Sequence, residues 1–456
     1  MWSMLYYLRN NPEKIKWSLE KRGLNPKSVD DAINYDKLWR KELQKLNELQ
    51  RKRNELNRQI GITKDPDERK KLVEKAKQVS EEIKKQEAIV KKYLNLRDEL
   101  LLSFPNIVHE SVPIGVDEND NVPIRYFGKP KVYKEYVDTF IEITKGFNVE
   151  YEVIDWKPLS HYDLGDSLRL VDTGRAAKVA GSRFFYILDD LVWLDLALIM
   201  FAVDELSKRG FHLLQPPYML KYKPYSGVTS LKDFEDALYK IEEEDLYLIA
   251  TSEHPIAARF MNETLEINDL PLLYLGISPC FRKEAGAHGK DTKGIFRVHQ
   301  FHKVEQFVFT LPENSWKWHE KLIHNAEELF KKLEIPFRVI SLCTGDLSVV
   351  SAKTYDIETW MPGQGKFREM VSCSNCTDYQ SYRLNIRFAE KRGYPSKGFV
   401  HTLNSTAIAT TRAITAILEN YQEPDGTVKI PKVLNKYLEI FDAAPKDEIK
   451  PVSKFT

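Results

Sequence analysis

The stretch Gly294-Ile-Phe-Arg-Val-His-Gln-Phe-His-Lys-Val-Glu-Gln-Phe-Val-Phe309, preceded by Ser278-Pro-Cys-Phe-Arg-Lys-Glu284, sets charge where a strand usually hides it. Alternate residues of an extended chain share a face. Arg297, His299, Phe301, Lys303 and Glu305 therefore project together, and Val298, Val304 and Val308 point the other way. The same parity puts Arg282 and Glu284 on one face of the preceding strand. The connection Ala285 to Lys293 carries Gly286, Gly289 and Asp291, which supply turn chemistry, so the two strands are expected to form a hairpin. A charged strand face of this kind is either the salt-bridged solvent side of an edge hairpin or a polar working surface.

Working outward, the chain of 456 residues is long enough for two or three domains with one large core. Its formal charge of +1 hides an asymmetry: Asp36 to Leu100 holds 19 Lys+Arg against 13 Asp+Glu, a local +6, which leaves about −5 for the rest. A polyanionic partner is expected to favour that N-terminal part. Four cysteines, Cys280, Cys343, Cys373 and Cys376, are too few and too scattered for a disulfide framework, which points to a reducing, cytoplasmic setting. Cys373-Ser-Asn-Cys376 has zinc or redox spacing, but no second pair completes a zinc ribbon, so packing is expected and structural zinc is not. The most apolar run, Leu196 to Val203, has eight residues and is too short to span a bilayer.

Asp30 to Ile60 and Asp67 to Leu102 are saturated with Lys, Glu, Gln and Leu and contain no Gly or Pro, the composition of two long helices. In the second, positions 72, 76, 79, 83, 86, 90, 93, 97 and 100 form a heptad seam interrupted by Gln86 and Arg97. Gly61, Asp65 and Pro66 break the pair, and so short a break predicts an antiparallel hairpin about 45 Å long. Such an arm serves as a spacer or dimer element, or, given Arg51, Lys52, Arg53 and Arg58 near its tip, as a grip on a polyanion. Phe104 to Lys131, with four prolines, is expected to be the linker into the second domain, with domains at 1–112 and 113–456. Beyond it there is no βαβ cadence and no G-x-x-x-x-G-K-[ST] loop. An α+β fold is predicted: an antiparallel sheet flanked by helices, with the helical arm ahead of it.

Four further segments have polar groups in ordered positions. Leu191 to Arg209 is an amphipathic helix followed by the strand Gly210 to Pro217. Leu246-Tyr-Leu-Ile-Ala-Thr-Ser-Glu-His-Pro255 is a strand whose Thr251-x-Glu253 ending is either a helix cap or a binding pair. Trp360 to Tyr379 contains Arg368-Glu-Met-Val-Ser372, and strict alternation sets Glu369 and Ser372 on opposite faces unless a bulge intervenes. Val400 to Ala413 is a strand running into a helix, with Ser405 or Thr406 expected at its cap and Arg412 in its first turns.

Phe281-Arg-Lys-Glu284 together with Arg297-Val-His-Gln-Phe-His-Lys-Val-Glu305 resembles the second signature motif of class II aminoacyl-tRNA synthetases. The longer string is similar to the seryl-tRNA synthetase version, of archaeal and eukaryotic type. The segments at 191–217, 246–255, 360–379 and 400–413 resemble that family's remaining motifs in its order, and Leu8-Arg-Asn-Asn-Pro-Glu-Lys-Ile15 with Lys21-Arg-Gly23 resembles its start. The resemblance implies a serine–tRNA ligase that forms seryl-adenylate from L-serine and ATP and transfers the seryl group to tRNA(Ser). It implies that the arm grips the tRNA's long variable arm through Arg51, Lys52, Arg53 and Arg58, and that the segment at 191–217 builds a homodimer interface. Serine would be held by Thr251, Glu253, Arg282, Glu305, Asn404 and Thr406. ATP would meet Arg282 at its α-phosphate, Phe301 and Glu284 at adenine, Arg412 at the γ-phosphate, and Arg297 and Val298. Mg²⁺ would sit with ATP on Glu369 and Ser372, and Arg282, Glu369 and Arg412 would be catalytic. Competing readings are a synthetase-like RNA-binding factor without catalysis, a coiled-coil scaffold, or another class II ligase. The last is disfavoured because only 37 residues follow Glu419, too few for a C-terminal anticodon-type domain.

Overall fold

The computed structural model describes residues 3–231, 235–284, 291 and 293–451. The expected turn glycines Gly286 and Gly289 lie outside the described residues. The chain divides into two compact units, Met1–Ile107 and Val108–Thr456.

In the first unit, helices α1 (Lys27–Ile62) and α2 (Pro66–Ser103) pack antiparallel. With 36 and 38 residues they run about 55 Å, longer than the expected 45 Å, which counts only about 30 residues per helix at 1.5 Å each. Gly61 does not break the pair. It lies in the last turn of α1, and the turn is made by Thr63 to Asp65, where Asp65 Oδ1 accepts from the backbone N–H of Asp67 (2.8 Å) and Glu68 (3.1 Å). Leu46, Leu56, Val79, Ile83 and Val90 form the seam. Its two polar positions are satisfied: Gln86 donates to the Glu42 carboxylate (2.8 Å), and buried Arg97 pairs with buried Asp36 (3.0 Å) while lying over Trp39. Arg51, Lys52 and Arg58 are exposed and Arg53 is half-buried.

The second unit is built on one sheet of eight strands. In chain order these are β1 (Val122–Phe127), β2 (His212–Leu214), β3 (Leu272–Phe281), β4 (Gln300–Thr310), β5 (Phe337–Ser341), β6 (Lys353–Met361), β7 (Lys366–Asn375) and β8 (His401–Ala409). Their order across the sheet is β1-β5-β6-β7-β8-β4-β3-β2. Every neighbouring pair is antiparallel except β3–β2. The expected linker at 104–131 thus contains an edge strand: β1 pairs with β5 despite Pro123, which a register shift accommodates. One sheet face is covered by α3 (Asp190–Ser207), α6 (Ser315–Lys332) and α8 (Thr410–Asn420), with Val304, Val308, Val371, Leu403 and Ile408 in the shared core. The other face carries the polar groups. The short helices α4 (Tyr222–Val228), α5 (Glu253–Ala258) and α7 (Tyr379–Arg383) pack on one another there.

Candidate active site

β3 and β4 pair over their full lengths, from Leu272 opposite Phe309 to Phe281 opposite Gln300. β4 begins only at Gln300, so Arg297 lies in the connection rather than on the strand, although Arg282 N–H still donates to the His299 carbonyl (2.9 Å). Phe301, Lys303 and Glu305 share a face as alternation requires, and they line a cavity of about 380 Å³ with Thr251, Glu253, Arg282, Asn404, Thr406, Glu369, Ser372 and Arg412. A second cavity of about 910 Å³ shares Glu369, Ser372 and Arg412 and adds Arg297, Arg368, Asp356 and Glu358. Val298 is buried in the core and lines neither cavity, so only its backbone is left to face a ligand.

Two bulges bring the polar groups together. Between β6 and β7 the register jumps from Ile357↔Val371 to Glu358↔Glu369, so Met370 is the extra residue. That extra residue restores Glu369 and Ser372 to one face, where strict alternation had separated them. Between β4 and β8 the register passes from Glu305↔Thr406 to Val304↔Ile408, which makes Ala407 the extra residue. Asn404 and Thr406 face the cavity on one side of it. Ser405 and Thr406 are not helix caps: β8 continues through them to Ala409, held by pairing with β4, and α8 starts at Thr410.

The smaller cavity has an acidic floor with one lysine. Lys303 Nζ lies 2.6 Å from Glu305 Oε2, both side chains being almost fully buried. Thr406 Oγ1 donates to the same oxygen at 3.4 Å. Burial pushes the Glu305 carboxyl up, with Lys303 and Arg282 pulling it back. Glu253 is pushed to about 7 by burial and by the neighbouring Glu305. Thr251 lines the cavity and its hydroxyl accepts from Glu253 N–H at 3.2 Å, a bond within the turn ahead of α5, whose N-cap position is held by Ser252. Arg282 Nε donates to the Ala250 carbonyl (3.3 Å), and its guanidinium lies 5.2 Å from the Phe301 ring centre.

Glu369 does not pair with its neighbour Arg368. Its Oε1 lies 2.9 Å from Arg412 Nη1, which holds the carboxyl below its ordinary range, and Arg368 instead pairs with Asp291. Glu284 pairs with Arg297 at 2.6 Å. The cysteines of the C-x-x-C string are buried and form no disulfide; Asn404 Nδ2 donates to Cys376 Sγ at 3.6 Å. Among the described residues no group of three His, Cys, Asp or Glu side chains is placed to hold a metal alone. Sequence reasoning missed Asp356, Glu358 and Arg368. The first two alternate along Tyr355-Asp-Ile-Glu-Thr359, the same period-two charge signal that marked β4.

Known proteins match this chain in sequence and in fold. The class II tRNA synthetase core domain profile (G, H, P, S and T) matches residues 237–421, and the seryl-tRNA synthetase N-terminal domain profile matches residues 5–108. Serine–tRNA ligases of Archaeoglobus fulgidus and Hyperthermus butylicus are 62% and 55% identical, each over 99% of both chains. The crystal structure of Pyrococcus horikoshii seryl-tRNA synthetase complexed with ATP superposes with a TM-score of 0.92 at 54% identity, covering 98% of this chain and 99% of that one. The chain therefore has the fold of a class II aminoacyl-tRNA synthetase, an ATP-dependent ligase. Within that class it belongs to the seryl-tRNA synthetase family, that of the serine–tRNA ligases.

Proposed function

We propose that the smaller cavity binds L-serine and the larger one receives the ATP polyphosphate. The observation that carries this reading is the grouping of Glu253, Glu305, Asn404 and Thr406 around one cavity floor, with Arg282 in the same cavity and Arg412 shared with the larger one. The two carboxylates suit a substrate ammonium, and the amide and hydroxyl suit a small side-chain hydroxyl. An oxygen of the serine carboxylate attacks the α-phosphorus of ATP, the bond to the β-phosphate breaks, and pyrophosphate leaves. A hydroxyl of the terminal tRNA ribose then attacks the adenylate carbonyl, and AMP leaves. No protein nucleophile is needed, so the side chains act by positioning and charge neutralisation. Arg282 bridges serine and α-phosphate, Arg412 and Arg297 meet the departing phosphates, and Phe301 packs on adenine once the Arg282 guanidinium turns to the phosphate. Glu284, tied to Arg297, is aimed at the adenine amino group or holds Arg297 in place.

The residues present fit Mg²⁺. Glu369 and Ser372 share a face, Asp356 stands opposite Ser372 in register, and its Oδ1 is buried without a hydrogen-bond partner. This is an oxygen-only set, too small to bind the ion without phosphates and water. Bound there with ATP, Mg²⁺ would neutralise phosphate charge. Glu369→Gln keeps shape and removes charge, so adenylate formation is expected to fall and to need more Mg²⁺, with fold and tRNA affinity unchanged. Titration of pyrophosphate exchange against Mg²⁺ checks this, and an unchanged profile would place the ion elsewhere.

The basic arm is assigned to the long variable arm of tRNA(Ser). On α3 the exposed row Val192, Leu196 and Met200, spaced by four, with Leu213 on β2, suits a homodimer interface. No helix among the described residues is long and apolar enough to cross a membrane, and a cytoplasmic site of action fits a tRNA substrate.

The Glu253 carboxyl gives a pH prediction. Below about 7 it is protonated in the free enzyme and cannot pair with an ammonium, so kcat/KM for serine is expected to fall about tenfold per pH unit below that point. Glu253→Gln should abolish this limb. A wild-type profile flat from pH 5.5 to 8 would contradict the assignment.

A further inference from the structure

Glu253 is set from behind by residues that line neither cavity. Gln380, fully buried on α7, has its amide committed on both ends. Its Oε1 accepts from the Thr402 hydroxyl (2.7 Å), and its Nε2 donates to Glu253 Oε1 (2.9 Å) and to the Val228 carbonyl (3.2 Å). The Val228 carbonyl, which can only accept, fixes the amino end of the amide toward the carboxylate, and the Thr402 hydroxyl, which can donate, suits the other end. Tyr225, also fully buried, holds the backbone that precedes Glu253. Its hydroxyl accepts from Ala250 N–H (3.3 Å) and pairs with His254 Nδ1 (2.8 Å). The two contacts close the turn Ala250–His254 around Thr251 and Glu253. The Ala250 carbonyl also accepts from Arg282, a contact that neither substitution below removes.

We propose that Gln380 and Tyr225 are positioning residues for serine: Gln380 aims the Glu253 carboxylate at the substrate ammonium, and Tyr225 fixes the turn that presents it. This rests on the reading of Glu253 as a serine ligand. The alternative is that both residues are stability elements of the α4–α5–α7 layer. The two differ in what moves. A loss of stability alone lowers the active fraction and leaves both Michaelis constants unchanged, whereas misplacement of Glu253 acts on serine and spares ATP.

Gln380→Met preserves length and removes the amide, and Tyr225→Phe removes one oxygen from an otherwise unchanged ring. Pyrophosphate exchange is measured for both against serine and against ATP, from pH 5.5 to 8.5, with melting temperatures alongside. The expected result is a rise in the serine KM of about tenfold for Gln380→Met and about threefold or more for Tyr225→Phe, the range for a lost hydrogen bond to a charged or buried group, with the ATP KM within twofold. The acid limb for serine should also move to higher pH in Gln380→Met. The groups facing Glu253, namely Glu305, Lys303, Arg282, His254 and Cys376, are unaltered by that substitution, so loss of the amide donor is the remaining cause. Should Gln380→Met unfold, Tyr225→Phe decides alone. Equal changes in both Michaelis constants, or none in either, would overturn the proposal. Glu253→Gln separates the two levels: if it leaves the serine KM unchanged, the parent reading fails, and if it raises it while the other variants do not, only this inference falls.

Discussion

Replacing Gln44 through Lys91 by a short turn is expected to leave serine-dependent pyrophosphate exchange nearly intact and to abolish tRNA charging. The arm holds the basic excess and none of the residues around the two cavities. The replacement also spares the base of the arm. The Asp36–Arg97 ion pair, with Arg97 over Trp39, and the Tyr35–Tyr93 ring contact all lie outside the excised segment. The excision takes the whole seam of Leu46, Leu56, Val79, Ile83 and Val90 together with the helix segments it joins, and leaves these contacts to hold the base. The affinity contributed by the arm should fall steeply with salt, with about one unit of log–log slope lost for each Lys or Arg contact removed. Arg51, Lys52 and Arg58 are exposed enough to make such contacts, and Arg58 would exchange its partner Glu55 for phosphate. Normal charging by the shortened protein would make the arm a spacer and move RNA recognition to the catalytic unit.

The second large effect is expected at Glu305. Glu305→Ala should lower kcat/KM for serine by about 10²-fold or more, roughly 3 kcal/mol, the scale of breaking a buried charged pair. Two losses combine, because the substrate ammonium loses an acceptor and Lys303, 6% exposed, loses its 2.6 Å partner. Leaving a lysine buried without its carboxylate is also destabilising. Glu305→Gln keeps the shape and should fold better, yet show most of the same defect. Serine activation within threefold of wild type in both variants would remove Glu305 from the site.

The charged face of β4 was legible because alternation holds there: Phe301, Lys303 and Glu305 needed only parity to be grouped. The relation of Glu369 to Ser372 was not legible. It depends on the extra residue Met370, and nothing in Arg368-Glu-Met-Val-Ser372 announces a bulge. The helix boundary at Thr410 was misjudged for a related reason. Ser405 and Thr406 are good caps in isolation, and long-range pairing with β4 overrides that local preference. β1 was hidden because four prolines between Phe104 and Lys131 speak against a strand, and only an edge position tolerates Pro123. Gln380 and Tyr225 have no sequence signal at all, since Gln380 matters through groups brought to it by two other helices and a strand, and Tyr225 through one turn and the helix after it.

The central claim is that the cavity floored by Glu253, Glu305, Asn404 and Thr406 selects a small hydroxylated amino acid. Pyrophosphate exchange with each of the standard amino acids in turn tests it most directly. Serine is predicted to support exchange, with alanine lower by at least about 10³-fold, because a site built to pair a hydroxyl leaves its own polar groups unsatisfied when that hydroxyl is absent. Exchange with alanine within tenfold of serine, or equal exchange with any amino acid lacking a hydroxyl, would contradict the account.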